Sequence, residues 1–489
     1  MPSALTRAQM LDRMFAADPA YDGIFITGVV STGIYCLPSC RARKPKPQNV
    51  EFYPGPREAL AAGLRACRRC RPDECYAGRF PDEERLSVLS GRPVSDWPSV
   101  GELARALKVG PSKLHELFRE HFHQTPAEWL ARRRVEEARA LLLAEPERTI
   151  AGIAFEVGFG SLSTFGAQFR RLSALTPHAY RSLPDSAQFR LTLPGDYPAR
   201  RVLLDLGRDP HASTARVEGQ RLTFSLDLGN GPDCIDGPGW AQVDLNPGAA
   251  RVTLPGAAGP GAARVHRALL RVLGLESSPT RFQVAAQALP GWSPLVKDAP
   301  GLRLPLTPSR FDGLVWAVLG QGVGFAQACC LRRRLLECLG PALPCGLYPL
   351  PQPAQVAALS PDTLRGLGLT RARASSLQAL AAAVAAGRLD LDRLAQSPWP
   401  QVERALLALP GFGPWAAGYA LLRAFGAADA WPTGDAALAR SWQTRRGLPR
   451  RPTATELTAA CAPLRPHRAL AAFYLWQADR TAGPDWSRP

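Results

Sequence analysis

The run Leu409-Pro410-Gly411-Phe412-Gly413-Pro414 admits very few local folds. Leu406, Leu407 and Leu409 close an apolar helix. Two glycines and two prolines then force a tight turn before a second helix opens at Trp415. Glycines flanking one apolar residue let the backbone approach a bulky anion, and the unsatisfied N–H groups at the head of the new helix point at it. Gly411 and Gly413 are therefore candidate phosphate contacts that need no lysine. The helix Trp415–Phe425 leads to a Pro432-Thr433-Gly434 turn, and Asp435 stands at the start of the next helix. Spacing alone leaves two readings open. One is a phosphate cradle followed by a working carboxylate, and the other is a plain helical hairpin with a capping aspartate, since Asp is a favoured N-cap.

Context favours a polyanionic partner. The chain has 489 residues and a formal net charge of +17, carried mostly by arginine. Neutralising phosphates releases counterions, so such an excess suits DNA, although a basic surface without a ligand has the same composition. The length suggests three or four domains, and 46% hydrophobic content is ample for packed cores. No continuous apolar segment follows the N-terminus, which argues against a secretory signal and for a cytoplasmic, nucleoid-associated protein of bacterial type. The longest apolar run, Leu314 to Leu331, is interrupted by Gln321, Gln327 and glycines. It reads as a buried helix, so no membrane partner is expected.

Five of the eleven cysteines crowd between Cys36 and Cys75. Cys36-x3-Cys40 and Cys67-x2-Cys70, separated by 26 residues, have the spacing of a closed four-thiolate zinc site, and chance clustering of free thiols is the alternative. Around them stand Ser31-Thr32-Gly33-Ile34-Tyr35-Cys36, Pro38-Ser39-Cys40-Arg41-Ala42-Arg43 and Asn49-Val50-Glu51-Phe52-Tyr53. This text closely resembles the N-terminal domain of the Ada adaptive-response family. The resemblance implies one Zn²⁺ on Cys36, Cys40, Cys67 and Cys70, a methyl group accepted by Cys36 from a methylated DNA phosphate, and Arg41 and Arg43 facing DNA. Zinc keeps sulfur as the nucleophilic thiolate. Methylating one of four thiolates changes the site from about −2 to about −1, which should strengthen DNA binding. Nothing nearby would remove the methyl, so the reaction is stoichiometric.

From Val100 to Tyr180 the chain repeats with a period of about fifty residues. Val100, Leu103 and Ala104 recur as Ile150, Ile153 and Ala154, and Thr125-Pro126 recurs as Thr176-Pro177. Each copy is a short helix, a glycine turn and a second helix, and the amphipathic segment Pro126 to Leu143 joins the two. A plain helical bundle is the alternative. The pair resembles the AraC/XylS-type double helix-turn-helix domain. That places recognition helices at about Ser112–Phe122 and Ser161–Arg170, with Ser112, Lys113, His115, Ser163 and Gln168 as base-reading candidates, operator DNA as partner and RNA polymerase as a further one.

After a boundary at Arg181 to Leu193, the alternating segments Phe189–Leu193, Arg216–Leu226 and Ala250–Leu254 read as strands, with helices at Arg200–Asp205 and Ala262–Leu273. Residues 301–489 read as helical. The combination of Gly301-Leu302-Arg303-Leu304-Pro305, Phe311 to Gln321 and Leu409 to Asp435 resembles the AlkA-type 3-methyladenine glycosylases of the helix-hairpin-helix superfamily. The resemblance implies a TATA-box-protein-like α/β lobe, Asp435 as the catalytic carboxylate, Trp415, Tyr419 and Trp476 around an everted base, and Gln321 with Gly322 against damaged double-stranded DNA. Trp415 stands where bifunctional relatives carry a lysine, so a monofunctional hydrolase is implied. Cys461 is alone after Cys345, so no iron–sulfur cluster is expected. No Pro-Cys-His-Arg text is present, so no guanine O6-alkyltransferase activity is expected. Gly322 replaces the bulky wedge common after this glutamine, and Ala436 replaces a frequent aromatic. Both departures imply an altered lesion preference or a weaker flip of the base.

The expected fold is multidomain α+β. Residues 1–82 form a small four-cysteine zinc α/β domain, 95–183 an all-α double helix-turn-helix domain, 187–300 the α/β lobe and 301–489 the all-α glycosylase domain. The expected function is alkylation sensing, transcriptional regulation and excision of 3-methyladenine- and 7-methylguanine-type bases. The competing readings are a transcription factor whose C-terminal half binds DNA without catalysis, and a glycosylase for deaminated or oxidised bases.

Overall fold

The computed structural model describes residues 5–15, 17, 21–226, 239–255 and 261–481, so the outer ends of the first and last expected domains lie outside the described residues. It is a multidomain α+β chain that divides into two compact units, Met1–Leu89 and Ser90–Pro489.

In the first unit, β1 (Ile26–Val29), β2 (Ile34–Cys36), β3 (Val50–Tyr53) and β4 (Arg65–Ala66) form a sheet of order β3-β1-β2-β4. β1 runs antiparallel to β2 and β3, and β2 runs parallel to β4. Strand period two turns Tyr35 into a small core with Ile26, Leu37, Ala59 and Leu64 and leaves Cys36 on the other face. The parallel β2–β4 pair also brings the Cys36 end of one strand beside the Cys67 end of the other.

The second unit opens with the two expected helix-turn-helix copies. Helices Val100–Ala106 and Pro111–His121 form one, Ile150–Glu156 and Leu162–Ser173 the other, with Pro126–Ala144 between them. The first helices of the two copies are capped alike, while the second is capped by Ser161 in one copy and starts at Gly110 without a side-chain bond in the other. Ser99 and Thr149 accept from the Glu102 and Gly152 N–H groups, and Ser161 accepts from Thr164. Thr125 makes a full capping box with Glu128, which explains why the helices stop and start where the sequence repeats.

An antiparallel sheet of order β5-β9-β8-β7-β6 comes next, from β5 (Gln188–Thr192), β6 (Ala215–Glu218), β7 (Arg221–Ser225), β8 (Trp240–Asn246) and β9 (Ala249–Thr253). The expected single strand Arg216–Leu226 is a hairpin. Glu218 pairs with Arg221, and Gly219 sits at φ +62° in the two-residue turn. β8 is an addition to the expected strands, although its burial alternates along its length. Helices Ala199–Leu206 and Gly261–Val272 match the expected pair.

The helical core reaches back before residue 301, since Phe282 and Trp292 pack into the same cluster as Leu314, Leu377, Leu422 and Phe473. The expected long run Phe311–Leu339 is two helices, Arg310–Leu319 and Phe325–Leu339, parted by Gly320–Gly324. The helix expected at Trp415–Phe425 begins at Pro414, with Gly413 as N-cap, and widens into a π-helical turn over Leu421–Phe425. The widening has identifiable partners. The Arg423 carbonyl accepts from the Thr307 N–H at 3.0 Å and its hydroxyl at 3.2 Å, while the Ala424 carbonyl accepts from Arg271 at 2.6 Å. Among the described residues no helix is long and apolar enough to cross a membrane.

The helix-turn-helix segment is packed firmly against the rest of its unit. The His266 ring donates to the Ser173 carbonyl at 2.6 Å and meets Tyr180 edge-on at 5.1 Å. The Thr192 N–H donates to the Ala174 carbonyl at 2.9 Å, Arg281 pairs with Glu128 at 2.8 Å, and the Asp429 N–H donates to His123 Nδ1 at 3.2 Å. The expected boundary at Arg181 to Leu193 is thus a packed seam.

Candidate functional site

The hairpin is shaped by contacts only glycine allows. Gly411 has φ +79°, and a Cβ there would overlap the Ser376 hydroxyl. The turn also joins the Gly320–Gly324 break, because Gln321 Nε2 donates to the Gly411 carbonyl at 2.9 Å and the Arg373 guanidinium donates to the Gln321 carbonyl. Gly322 is exposed at φ +61° with open space where a side chain would stand. Gly411, Gly413 and Gly322 therefore lie on the outer rim, with Gln321 half-buried between them.

Beyond this rim, Gly418 lets its helix pass against the Trp431 carbonyl, where a Cβ would overlap. That close approach sets the Pro432–Gly434 turn beside the helix and swings Asp435 back toward Trp415. Asp435 is half-buried and serves three donors at once. Its Oδ2 accepts from Trp415 Nε1 at 2.9 Å, and its Oδ1 from Trp476 Nε1 at 3.3 Å and the Leu438 N–H at 2.9 Å. The capping reading of the aspartate has its counterpart here, since it caps helix Ala436–Arg446, and its carboxylate also accepts from two indoles. Tyr419 stacks on Trp415 at 5.4 Å and 24° and lies 6.0 Å from Trp476. Three rings and one carboxylate form a single cluster. Trp415 and Tyr419 already stack on each other, so the gap between those two rings holds no third ring, and an incoming base must lie on an outer face of the cluster.

In the first unit, the Cys36, Cys40, Cys67 and Cys70 sulfurs all lie within 4.8 Å of one another, with Cys40 and Cys67 buried and the other two half-buried. Four sulfurs this close repel one another as thiolates. Hydrogen bonding with Cys40 pushes the Cys36 thiol up, while hydrogen bonds from Cys36 and Cys70 pull the Cys40 thiol down. Such a set cannot carry four negative charges unaided, and it fits one Zn²⁺. The Leu37 N–H donates to the Cys70 sulfur at 3.4 Å. Lys44 donates to the Cys40 carbonyl at 2.8 Å, a cation against the cluster that cysteine spacing does not reveal. Arg41 and Arg43 are exposed.

On the recognition helices, Ser112, His115 and Ser163 are exposed and Lys113 is half-exposed, 3.8 Å from Glu116. Gln168 is less available, since its side-chain oxygen accepts two N–H groups of Arg171 at 3.0 and 2.8 Å.

Three family models match the chain: the metal binding domain of Ada over residues 9–73, a helix-turn-helix domain over 103–182, and the HhH-GPD superfamily of base excision DNA repair proteins over 315–466. A probable bifunctional transcriptional activator/DNA repair enzyme AlkA of Mycobacterium tuberculosis is 30% identical over 491 residues, covering 94% of this chain and 94% of that protein. The chain belongs to this family of bifunctional activator and repair proteins. The DNA-3-methyladenine glycosylase of Bacillus subtilis is 29% identical over 206 residues, 42% of this chain and 68% of that one. A solved 3-methyladenine DNA-glycosylase from Archaeoglobus fulgidus shares the fold, with a TM-score of 0.52 at 18% identity over 60% of this chain and 99% of that chain.

As a member of this activator and repair family, the protein is a DNA-binding repair protein with a zinc domain, a helix-turn-helix regulator and a DNA glycosylase domain, a hydrolase by class. Sequence reading misses Arg373 and Ser376, which brace the hairpin from a neighbouring helix. The only signal is their place in the first two turns after Thr370, an N-cap that accepts from the Arg373 N–H.

Proposed function

We propose that the protein excises alkylated purines, of 3-methyladenine and 7-methylguanine type, as a monofunctional glycosylase with Asp435 as its catalytic carboxylate. The observation that carries this reading is the convergence of the Trp415 and Trp476 N–H groups on Asp435 beside the Tyr419 ring. An alkylated purine in DNA carries positive charge. Electron-rich ring faces bind it, and the C1′–N electron pair leaves with the base and neutralises it. Asp435 stabilises the oxocarbenium-like sugar and orients the water that adds to C1′, whose proton passes to the carboxylate or to solvent. Gly411, Gly413, Gln321 and Gly322 form the rim that meets the DNA backbone and the gap left by the base.

In the first unit, Cys36 is the acceptor for a methyl group from a DNA methylphosphotriester. A sulfur–carbon bond forms, the carbon–oxygen bond breaks, and the phosphate returns to a charged diester. Zinc held by Cys36, Cys40, Cys67 and Cys70 supplies the stabilisation that keeps these sulfurs as thiolates. Arg41 and Arg43 attract the DNA backbone. Ser112, Lys113, His115, Ser163 and Gln168 read operator bases, and RNA polymerase is the partner of the activator. These tasks divide over residues 1–82, 95–183, 187–300 and 301–489.

One incubation tests both activities. The full chain, mixed with methylated duplex DNA that also carries hypoxanthine, is followed for free bases and for protein mass. Release of 3-methyladenine and 7-methylguanine, with one added methyl on the Cys36 peptide, is the expected result. Hypoxanthine released in preference to both would favour the rival lesion class. No base at all would leave a DNA-binding regulator, in which Asp435 is only a cap.

A further inference from the structure

A cavity of about 80 Å³ lies between the β-sheet lobe and the helical core, with Tyr419 of the aromatic cluster in its wall. Its wall also holds the Asp205 carboxylate, the Arg208 and Arg423 guanidinium groups, and the Trp316 and Phe325 rings. The two rings stack at 5.9 Å and 5°. The Arg208 guanidinium lies over Phe325 at 4.3 Å, within 3.6 Å of Asp205, and shares the cavity wall with Tyr419. The Asp205 side chain is fully buried and also faces Arg423 at 3.4 Å.

Aromatic faces backed by a buried carboxylate make a receptor for a flat cation, and a guanidinium is a flat cation. An alkylated purine is another. At this volume the cavity has room for water but not for a purine ring, so a base can enter only if Arg208 withdraws. The Arg208 side chain is 21% exposed and Phe325 is 40% exposed, so that withdrawal leads toward solvent. With Arg208 gone, carboxylates outnumber guanidinium groups in the wall by three to two.

We propose that Arg208 is a built-in stand-in for the cationic base: the everted alkylated purine displaces its guanidinium from Phe325 and Tyr419, and Asp205 then selects for positive charge on the base. The proposal rests on the glycosylase reading above and names the determinants of its specificity. The test is single-turnover release of cationic 7-methylguanine and neutral hypoxanthine from otherwise identical duplexes by the full chain.

Arg208→Met, which removes the displacement step that both bases must make, raises the release of both by about tenfold, the scale of one charge-assisted contact. Arg208→Lys returns both rates toward wild type. Asp205→Asn lowers the ratio of cationic to neutral release by a similar factor. A general structural defect would lower both rates in both families of variant, and that outcome overturns the proposal. So does release of both bases unchanged within about twofold in Arg208→Met. If Asp205→Asn fails to fold because Arg423 loses its partner, the Arg208 pair decides alone. A wild-type chain that releases neither base overturns the glycosylase reading along with this one. A wild-type chain that releases 7-methylguanine, with rates indifferent to position 208 and a ratio indifferent to position 205, overturns this one only.

Discussion

Asp435 is both a helix cap and the acceptor for two indoles, and the two roles separate by substitution. Asparagine keeps one acceptor oxygen, which still serves the Leu438 N–H and Trp476, but its amide nitrogen would then face the Trp415 N–H across 2.9 Å, donor against donor. Asp435→Asn therefore loses one hydrogen bond to a charged group, about 1–2 kcal/mol. Asp435→Ala loses the cap, about 1 kcal/mol, and leaves two indole N–H groups without their acceptor, for a total of about 2–4 kcal/mol. Base release should fall about 10²–10³-fold or more in both variants, because neither carries the negative charge. Chemical denaturation gives the stability order wild type, Asn, Ala, and single-turnover release from alkylated duplex gives the rates. DNA affinity measured by anisotropy should be unchanged in Asp435→Asn. Release by Asp435→Asn within about tenfold of wild type would refute the catalytic role, and an Ala variant as stable as wild type would refute the shared-acceptor geometry.

Cys67→Ser should bind less than one zinc per chain by metal analysis and lose the methyl gain at Cys36, while base release persists, because the cysteines belong to a separate compact unit. Equal zinc content in variant and wild type would count against the four-sulfur site. His266, buried at the seam, has its pKa pushed down to about 3 by burial and, secondarily, by the Arg139 charge. The native ring stays neutral while the unfolded one takes a proton below about pH 6.5, so stability is full above about pH 6.5 and is lost as pH falls toward 3. Between pH 7 and 4.5 that loss is about 2–3 kcal/mol. His266→Gln should flatten the denaturation-derived slope by this amount, and an identical slope would exclude the histidine as its source.

Legibility in the sequence depends on the range of the interaction. The four zinc ligands declare themselves by residue type and short spacing, and the sheet only has to bring two such pairs together. The hairpin is legible because Gly411 and its neighbours constrain their own backbone. Asp435 can be placed at a helix start, but its dual bonding cannot be read, because Trp476 arrives from the last helix of the described residues. The π-helical turn at Leu421–Phe425 depends on Thr307 and Arg271, more than 100 positions away, and no local pattern announces it. Arg208 and Asp205 are hidden for the same reason: in sequence they end an ordinary amphipathic helix, and only the packing of the lobe on the core gives them neighbours. β8 is a different case, since its alternation of buried and half-buried residues is local and present in the sequence.

The seam of Ser173, Tyr180 and His266 has a mechanical consequence. An operator reader and an excising enzyme joined by a floppy tether would explore every azimuth of the double helix. Here a neutral imidazole donating to a backbone carbonyl fixes their mutual angle. A molecule anchored at its operator thus carries its base-excising face at one rotational phase, so excision near such a site should rise and fall with each turn of the duplex.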